Sequence, residues 1–173
     1  MKKLVHARRT LVRAAVASAL AAVALPALAT AGEGAQVPIA HTESFGQGCG
    51  DRALRTAANS RPHVGNSNFA VVVTGAEPRD AVVLVLGTSN TEWRGGRLPL
   101  DLGALGHGGC QLLVSIDSVT MTTADGGPYV GFALPIPDEK EFLGLQLYAQ
   151  SFAVGPYDGA FAASNGLDIL VGA

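Results

Sequence analysis

The sequence has little charge, and the basic residues it does have are concentrated at its start. Only 15% of the 173 residues are charged. Five of the 12 lysine and arginine residues lie before position 30, whereas all 14 aspartate and glutamate residues lie after it, so the remainder has a net charge of about 7 − 14 = −7. Nucleic acids and anionic membranes are bound through basic residues that neutralise phosphates. This balance argues against both kinds of partner.

The common catalytic and metal-binding motifs are also missing. The chain has no HExxH or CxxC motif and no Gly-x-Ser-x-Gly elbow, which mark zinc sites and serine hydrolases. No spacing singles out two of its aspartates as a pair for glycoside hydrolysis. The sequence therefore predicts no catalytic residue, no metal ligand and no cofactor. Calcium at the acidic turns that begin at Asp125 and Asp158, and a small hydrolase with an unrecognised site, stay open as alternatives.

The first apolar stretch is too short to span a membrane. It runs over 12 residues, from Ala14 to Leu25, whereas a membrane-spanning helix needs about 20. Basic residues precede it, and the small-residue triplets Ala-Leu-Ala and Ala-Thr-Ala follow it at 27–31. This pattern predicts a secretion signal over residues 1–29, a flexible lead-in over 30–37 and one domain over 38–173.

The signal predicts where the protein resides. We expect a secreted protein, periplasmic or extracellular, that is not embedded in a membrane once the signal is removed. The pair Arg8-Arg9 resembles a twin-arginine export signal, and the general route is the alternative.

Short apolar segments closed by glycine-rich turns make up the rest of the chain. This pattern is typical of an all-β protein, and we predict an antiparallel β-sandwich of two sheets and seven to nine strands, jelly-roll-like or immunoglobulin-like. Strands are predicted at 69–74, 81–86, 111–116, 119–123, 130–134, 143–149 and 167–171. The predicted core comprises Val83, Val85, Leu112, Val114, Ile116, Phe132, Leu145, Leu147 and Ile169.

Three local predictions accompany this pattern. The segment 111–116 alternates and is expected to have one buried and one mostly wet face. The spacing of Ala53, Leu54 and Ala57 makes residues 51–58 the best candidate for a helix, although two turns are marginal. Ser164-Asn165-Gly166 is predicted to be the turn that leads into the last strand.

Cysteine is scarce, with only Cys49 and Cys110. Cysteines in even number in an exported chain are usually paired, so we predict a disulfide between them. Glycines flank both residues, which lets the two backbones approach each other. The bond would close a loop of 110 − 49 + 1 = 62 residues, a length for which the chain-entropy model gives about 4 kcal/mol as an upper value.

Aromatic residues are few, at 6% of the chain, and this narrows the candidates for ligand binding. Trp93 lies in a polar stretch, where it is either a structural lid or an exposed platform. Gln146, Tyr148 and Gln150 share one face of a predicted strand and would meet solvent, a partner or a ligand. An exposed aromatic face together with polar groups suits a glycan.

Several motifs together resemble a family of secreted bacterial β-sandwich domains that often stand at the C-terminal end of larger exported proteins. They are Phe-Gly-Gln-Gly-Cys at 45–49, Leu-Pro-Leu-Asp-Leu at 98–102 with Gly-Gly-Cys at 108–110, Pro-Ile-Pro at 135–137, Gly-Leu-Gln-Leu-Tyr-Ala-Gln at 144–150 and Ser-Asn-Gly-Leu at 164–167. The resemblance covers about residues 45–172 and is weakest at 52–61 and after Pro137. It implies a sandwich with cysteines in matching places and no established activity.

These observations favour a non-enzymatic exported module with a structural or interaction role at the cell envelope or outside the cell. The expected partner is a cell-envelope protein or a glycan. A lectin-like carbohydrate-binding module is the alternative, with Trp93 and Tyr148 as its aromatic contacts.

Overall fold

The structure is a computed structural model that describes residues 36–173. The predicted secretion signal and all but the last two residues of the predicted lead-in lie outside the described residues. Within the described part of the chain, no helix is long and apolar enough to cross a membrane.

The described chain consists of strands joined by turns and loops, together with two single-turn 3₁₀ helices at Gly103–Leu105 and Lys140–Phe142. The strands are β1 (His41–Phe45), β2 (Cys49–Gly50), β3 (Arg55–Ala58), β4 (Ala70–Thr74), β5 (Ala81–Gly87), β6 (Glu92–Trp93), β7 (Gly96–Arg97), β8 (Leu100–Asp101), β9 (Gln111–Leu112), β10 (Ser118–Thr123), β11 (Val130–Ala133), β12 (Gln146–Val154) and β13 (Phe161–Leu170).

Two antiparallel sheets form the sandwich. The large sheet has the order β1-β13-β12-β5-β10, with β2 also paired to β13, and the small sheet has the order β11-β4-β3. Eight of these strands have four or more residues, so the predicted all-β sandwich of seven to nine strands is confirmed. The pairs β6–β7 and β8–β9 are two separate small ribbons.

The main core lies between the two sheets, where side chains of β4 face those of β5, β12 and β13. Five of the predicted core residues are buried, namely Val85, Leu112, Val114, Phe132 and Ile169. Three more are half-buried, namely Val83, Ile116 and Leu147. Leu145 is 36% exposed, and its predicted burial is wrong because β12 begins only at Gln146, after the chain turns at Gly144 with φ of 82°.

A third layer covers the outer face of the large sheet. Leu113 and Val114 pack on Val85 of β5, and Leu112 packs with Cys110 beneath Phe152 and Phe161. This explains why the prediction for 111–116 is wrong. Only Gln111–Leu112 is a strand, and residues 112–115 are buried in succession because the segment is covered on both sides.

Two further local predictions are wrong. Residues 55–58 form β3 rather than part of a helix, because they pair with β4. Residues 164–166 lie inside β13, where the register with β12 shifts by one residue between Gln150 and Phe152. The extra residue belongs to β13, because the pairing of β12 with β5 is regular. The turn-forming residues therefore make a β-bulge.

The bulge has a structural use. Asn165 accepts a hydrogen bond from the Thr56 N–H at 3.1 Å and donates to the Thr56 carbonyl at 3.0 Å. The ring of Phe45 lies where a Cβ on Gly166 would be. Since only glycine leaves that space free, Gly166 is required for Phe45 to pack on the outer face of the sheet.

Candidate functional site

Within residues 36–173, one side of the sandwich is open, because both sheets end there in a strand that no other described strand pairs with. β10 is the last strand of the large sheet, and β11 is the last strand of the small one. A groove of about 360 Å³ lies between them. Its apolar lining comes from Leu84, Leu86, Phe132 and Leu134, and its hydroxyl groups come from Ser118, Thr120 and Thr122.

The backbone of β10 has free hydrogen-bonding groups on this side. Ala124, just after the strand, donates its N–H to the Asp80 carbonyl beside β5. Since N–H and C=O groups alternate in direction along an antiparallel strand, the even-numbered residues of β10 face β5. The odd-numbered ones, Val119, Met121 and Thr123, therefore point their N–H and C=O groups away from the sheet.

The same reasoning applies to β11. Leu134, just after this strand, donates its N–H to the Phe69 carbonyl beside β4, so Gly131 and Ala133 direct their backbone groups outward. The two sheets thus leave two neighbouring rows of free donors and acceptors beside an apolar groove.

The edge of β10 lacks the features that usually protect an edge strand. All six of its residues are exposed, with Val119 at 55% and Met121 at 68%. It contains no charged residue and no proline, which are common ways to prevent a strand from being added. Strand 119–123 was correctly predicted from its sequence, but its place at the edge was not.

Trp93 lies at the tip of a small hairpin over the third layer. Arg94 and Gly95 have φ of 50° and 79°, the left-handed values of a two-residue hairpin turn. The Arg94 guanidinium lies 5.0 Å from the centre of the Trp93 ring. The half-buried ring packs on the cluster that contains Cys110 and Leu112. These contacts support the lid interpretation of Trp93.

A small cleft of about 260 Å³ lies beside Trp93. Its polar lining includes Ser89, Glu92 and Asp117. Hydrogen bonds from the Thr88 hydroxyl and N–H, and from the Ser115 hydroxyl, lower the pKa of Asp117 below its ordinary value of 3.8. Asp117 is therefore ionised at neutral pH, and its carboxylate can accept hydrogen bonds from a ligand but has no proton to donate.

This lowered pKa also affects stability. Because the folded-state pKa lies below the unfolded value, the interactions of Asp117 stabilise the fold above pH 3.8. That contribution is lost as the pH falls through the folded-state pKa.

The polar residues predicted to share one face of β12 all contact other residues of the same chain. Gln146 is exposed, and its amide donates to both carboxylate oxygens of Asp168, at 3.1 and 2.9 Å. Tyr148 is half-buried, with its ring edge-on to Phe45 at 6.0 Å. Burial, together with the charge of Asp168, raises the pKa of Tyr148.

Gln150 is fully buried and structural. Its oxygen accepts the Leu113 N–H at 2.8 Å, and its nitrogen donates to the carbonyls of Gln111 and Ser164 at 2.9 and 3.0 Å. The expectation that Gln150 meets solvent, a partner or a ligand is wrong, because the third layer covers its side chain. The prediction missed this because nothing in the local sequence indicates that layer.

The structure does not bring the predicted aromatic contacts into one site. Trp93 packs on the cluster of Leu102, Cys110 and Leu112, whereas Tyr148 packs on the cluster of Val85, Leu113 and Val114. Trp93 lines the small cleft, and Tyr148 does not.

The disulfide is present between Cys49 and Cys110, whose Cα atoms are 5.2 Å apart. It links β2 to the third layer, and Cys110 is buried there. The predicted disulfide is confirmed.

A wider cleft of about 770 Å³ runs along residues 46–57 and is bordered by Ser44, Thr74 and Asn165. Arg52, one of the lining residues, forms ion pairs with Asp80 at 2.7 Å, Glu77 at 3.3 Å and Asp158 at 3.4 Å.

The aspartates of the two acidic turns accept hydrogen bonds from backbone N–H groups of the same turn. Asp125 accepts the Gly127 N–H at 2.9 Å, and Asp158 accepts the Ala160 N–H at 3.0 Å. Over residues 36–173, no group of three or more histidine, cysteine, aspartate or glutamate residues is arranged to hold a metal ion. Calcium at these turns stays an untested alternative to the predicted absence of a cofactor.

A comparison of the chain with protein-family models finds no match, and a comparison with curated proteins finds none either.

Proposed function

We propose that the chain is an exported, non-enzymatic β-sandwich module that binds another polypeptide by strand addition at the open side. The observation that carries this proposal is the edge strand β10, with six exposed residues and no charge, beside an apolar groove. In strand addition, backbone hydrogen bonds provide affinity, and pockets that accept alternate side chains provide specificity. The open side offers the outward backbone groups of β10 for such hydrogen bonds and the neighbouring groove for such side chains.

Export is part of the same proposal. The basic head, short apolar segment and small-residue triplets of residues 1–31 support it. The disulfide fits an oxidising compartment.

A photo-cross-linking experiment tests strand addition. A photo-reactive phenylalanine analogue is placed at Val119 in the natively exported protein, which is then irradiated in its own cell envelope or medium. We expect an adduct with a polypeptide. The substitution Met121→Pro in the same protein should abolish the adduct, because it removes an N–H that points outward from the sheet and leaves the bonds to β5 intact.

The matched control places the analogue at Leu105, which is 74% exposed on a 3₁₀ helix. Met121→Pro should leave any adduct at Leu105 unchanged. The proposal is wrong if position 119 yields no adduct, or if its adduct persists in the Met121→Pro protein while circular dichroism shows that the fold is intact.

A second candidate function is glycan binding at the cleft beside Trp93. The cleft is lined by Trp93, by the acidic residues Glu92 and Asp117 and by the hydroxyl residues Thr88 and Ser89, which is the kind of lining that holds a sugar. On a glycan array, Trp93→Ala should weaken any binding about two- to tenfold, since an aromatic contact contributes about 0.5–1.5 kcal/mol.

Tyr129→Ala is the control for this test, because Tyr129 is 58% exposed and lies outside the cleft. Equal binding by both variants, or no binding by the unaltered protein, would exclude this candidate.

A further inference from the structure

We infer that β10 pairs antiparallel with β10 of a second copy of this chain, about a twofold axis at Met121. The inference rests on the proposed strand addition and names the added strand. It would join two six-stranded sheets into one continuous sheet.

The free backbone groups of β10 are arranged symmetrically about Met121. Val119, Met121 and Thr123 each present one N–H and one C=O outward, and Met121 is in the middle. With Met121 opposite Met121 of the second copy, Val119 lies opposite Thr123 at both ends. Three pairs that each exchange two bonds give six hydrogen bonds, and none of these outward groups is left without a partner.

The pairing would also bring together exposed apolar side chains on one face of the sheet. Val119 and Met121 lie opposite Val85 and Val83 of β5, and so share the outer face of the large sheet. They are 55% and 68% exposed. In the paired arrangement the two methionines meet at the axis, with a valine on either side, so that the exposed apolar groups cover each other.

The distribution of charge also favours contact at β10. Residues 36–173 contain seven basic and 13 acidic residues, a net charge of 7 − 13 = −6. Two copies therefore repel each other in general, but β10 has no charge of its own. A neutral strand lets a second acidic copy approach without facing like charges along the contact.

Acidic residues also limit the length of the paired segment. The proposed register sets Asp117 of one copy against Asp125 of the other at both ends. Like charges directly opposite are unfavourable, although both carboxylates already accept hydrogen bonds within their own copy. The pairing is thus limited to the neutral residues between them.

The interface between the two β10 strands would be small, and this determines which assay can detect the dimer. Six residues of strand span about 20 Å, and an edge contact of this size falls at the low end of specific interfaces. The dimer should therefore dissociate on dilution, and cross-linking is the appropriate assay.

Single cysteine substitutions test the register in the exported protein. Met121→Cys should form an intermolecular disulfide under mild oxidation, because a directly opposed pair brings the Cα atoms to about 5.5 Å. Val119→Cys alone should not, because the two copies of residue 119 would be about 14 Å apart. A mixture of Val119→Cys and Thr123→Cys proteins should cross-link with each other. Leu105→Cys, an exposed cysteine elsewhere, measures random collision.

The mass of the unaltered protein provides an independent measurement. Sedimentation equilibrium should show the mass of two copies at high concentration and of one copy on dilution, and Val119→Lys should remove the dimer. A one-copy mass at every concentration, or cross-linking of Met121→Cys no faster than that of Leu105→Cys, overturns the inference.

If the photo-reactive residue at 119 still captures a different polypeptide, strand addition stands and only the second copy is refuted. If it captures nothing, both fall.

Discussion

Replacing Arg52 by alanine is expected to lower the free energy of unfolding by about 3–5 kcal/mol. The Arg52 side chain is only 8% exposed, and its guanidinium donates to a carboxylate oxygen of Asp80 at 2.7 Å. Asp80 is 1% exposed. Without Arg52, the Asp80 carboxylate would be left buried and unpaired, which is far more costly than the loss of a surface ion pair.

The geometry around Asp80 makes this pair hard to replace. One carboxylate oxygen accepts both the Arg52 guanidinium and the Glu77 N–H, the latter at 2.8 Å. The other oxygen is buried and has no hydrogen-bond partner among the described residues. Neighbouring hydrogen-bond donors are therefore not in place to compensate for a lost arginine.

The other two acidic partners of Arg52 should matter much less. The side chains of Glu77 and Asp158 are 67% and 60% exposed, and ion pairs with exposed groups contribute about 0–1 kcal/mol. Glu77→Ala and Asp158→Ala should thus change the free energy of unfolding by less than about 1 kcal/mol.

Urea denaturation measures the effect, with Arg55→Ala as the matched control. Arg55 is exposed at the start of β3, and the structure gives it no ion pair among residues 36–173. Removing both Arg52 and Asp80 should cost less than removing Arg52 alone, because no buried charge then remains. A loss below about 1 kcal/mol for Arg52→Ala would show that the pair does not stabilise the fold.

The strands could be predicted from the sequence where a strand buries one face in the main core, with the other face either covered or exposed. Ala81–Leu86 is apolar throughout and proves to be β5, which lies between β12 and β10 in the large sheet. Val130 and Phe132 alternate as expected for β11. Here the local pattern and the tertiary environment agree, and so the prediction holds.

The order of the strands could not be predicted, and the candidate site depends on it. The residues of β10 alternate between apolar and hydroxyl side chains, a pattern equally compatible with a covered strand. Only pairing between distant segments makes β10 and β11 the unpaired ends of their sheets. A surface formed by two edges is a property of topology, which has no local signal.

The burial of Gln150 shows a second limit. Alternation correctly places it on the face opposite Ala149, but that face is covered by residues far away in sequence. A strand with one polar face indicates solvent only if nothing packs on it. The same limit applies to residues 53–57, whose helical spacing is overridden by pairing with β4.

Besides the Arg52–Asp80 ion pair, the disulfide also anchors the segment around residues 49–52. We expect Cys110→Ser to lower the free energy of unfolding by about 2–4 kcal/mol. The bond joins residues 61 positions apart, so its removal releases a long loop in the unfolded chain. In the folded state, Cys110 is buried with Leu102 and Leu112. A serine there would bury a hydroxyl group in an apolar cluster, which adds to the cost.

Reduction of the unaltered protein is the control for that substitution, because it breaks the bond without changing the sequence. Denaturation with and without reductant should differ by a similar amount, and the unreduced exported protein should weigh two hydrogen masses less than the dithiol form. Quantitative labelling of both thiols without reductant in exported protein would contradict the bond.

Cys49 and Arg52 are three residues apart and tie the same segment to different parts of the fold. The disulfide holds it to the third layer, and Arg52 holds it to the turn before β5. If removing either the disulfide or the Arg52 ion pair lets this segment detach from the fold, then removing the other one disrupts fewer remaining contacts. We therefore expect Arg52→Ala and Cys110→Ser together to cost less than the sum of the single losses, by about 0.5–3 kcal/mol. Strict additivity would mean that the two ties act on separate units.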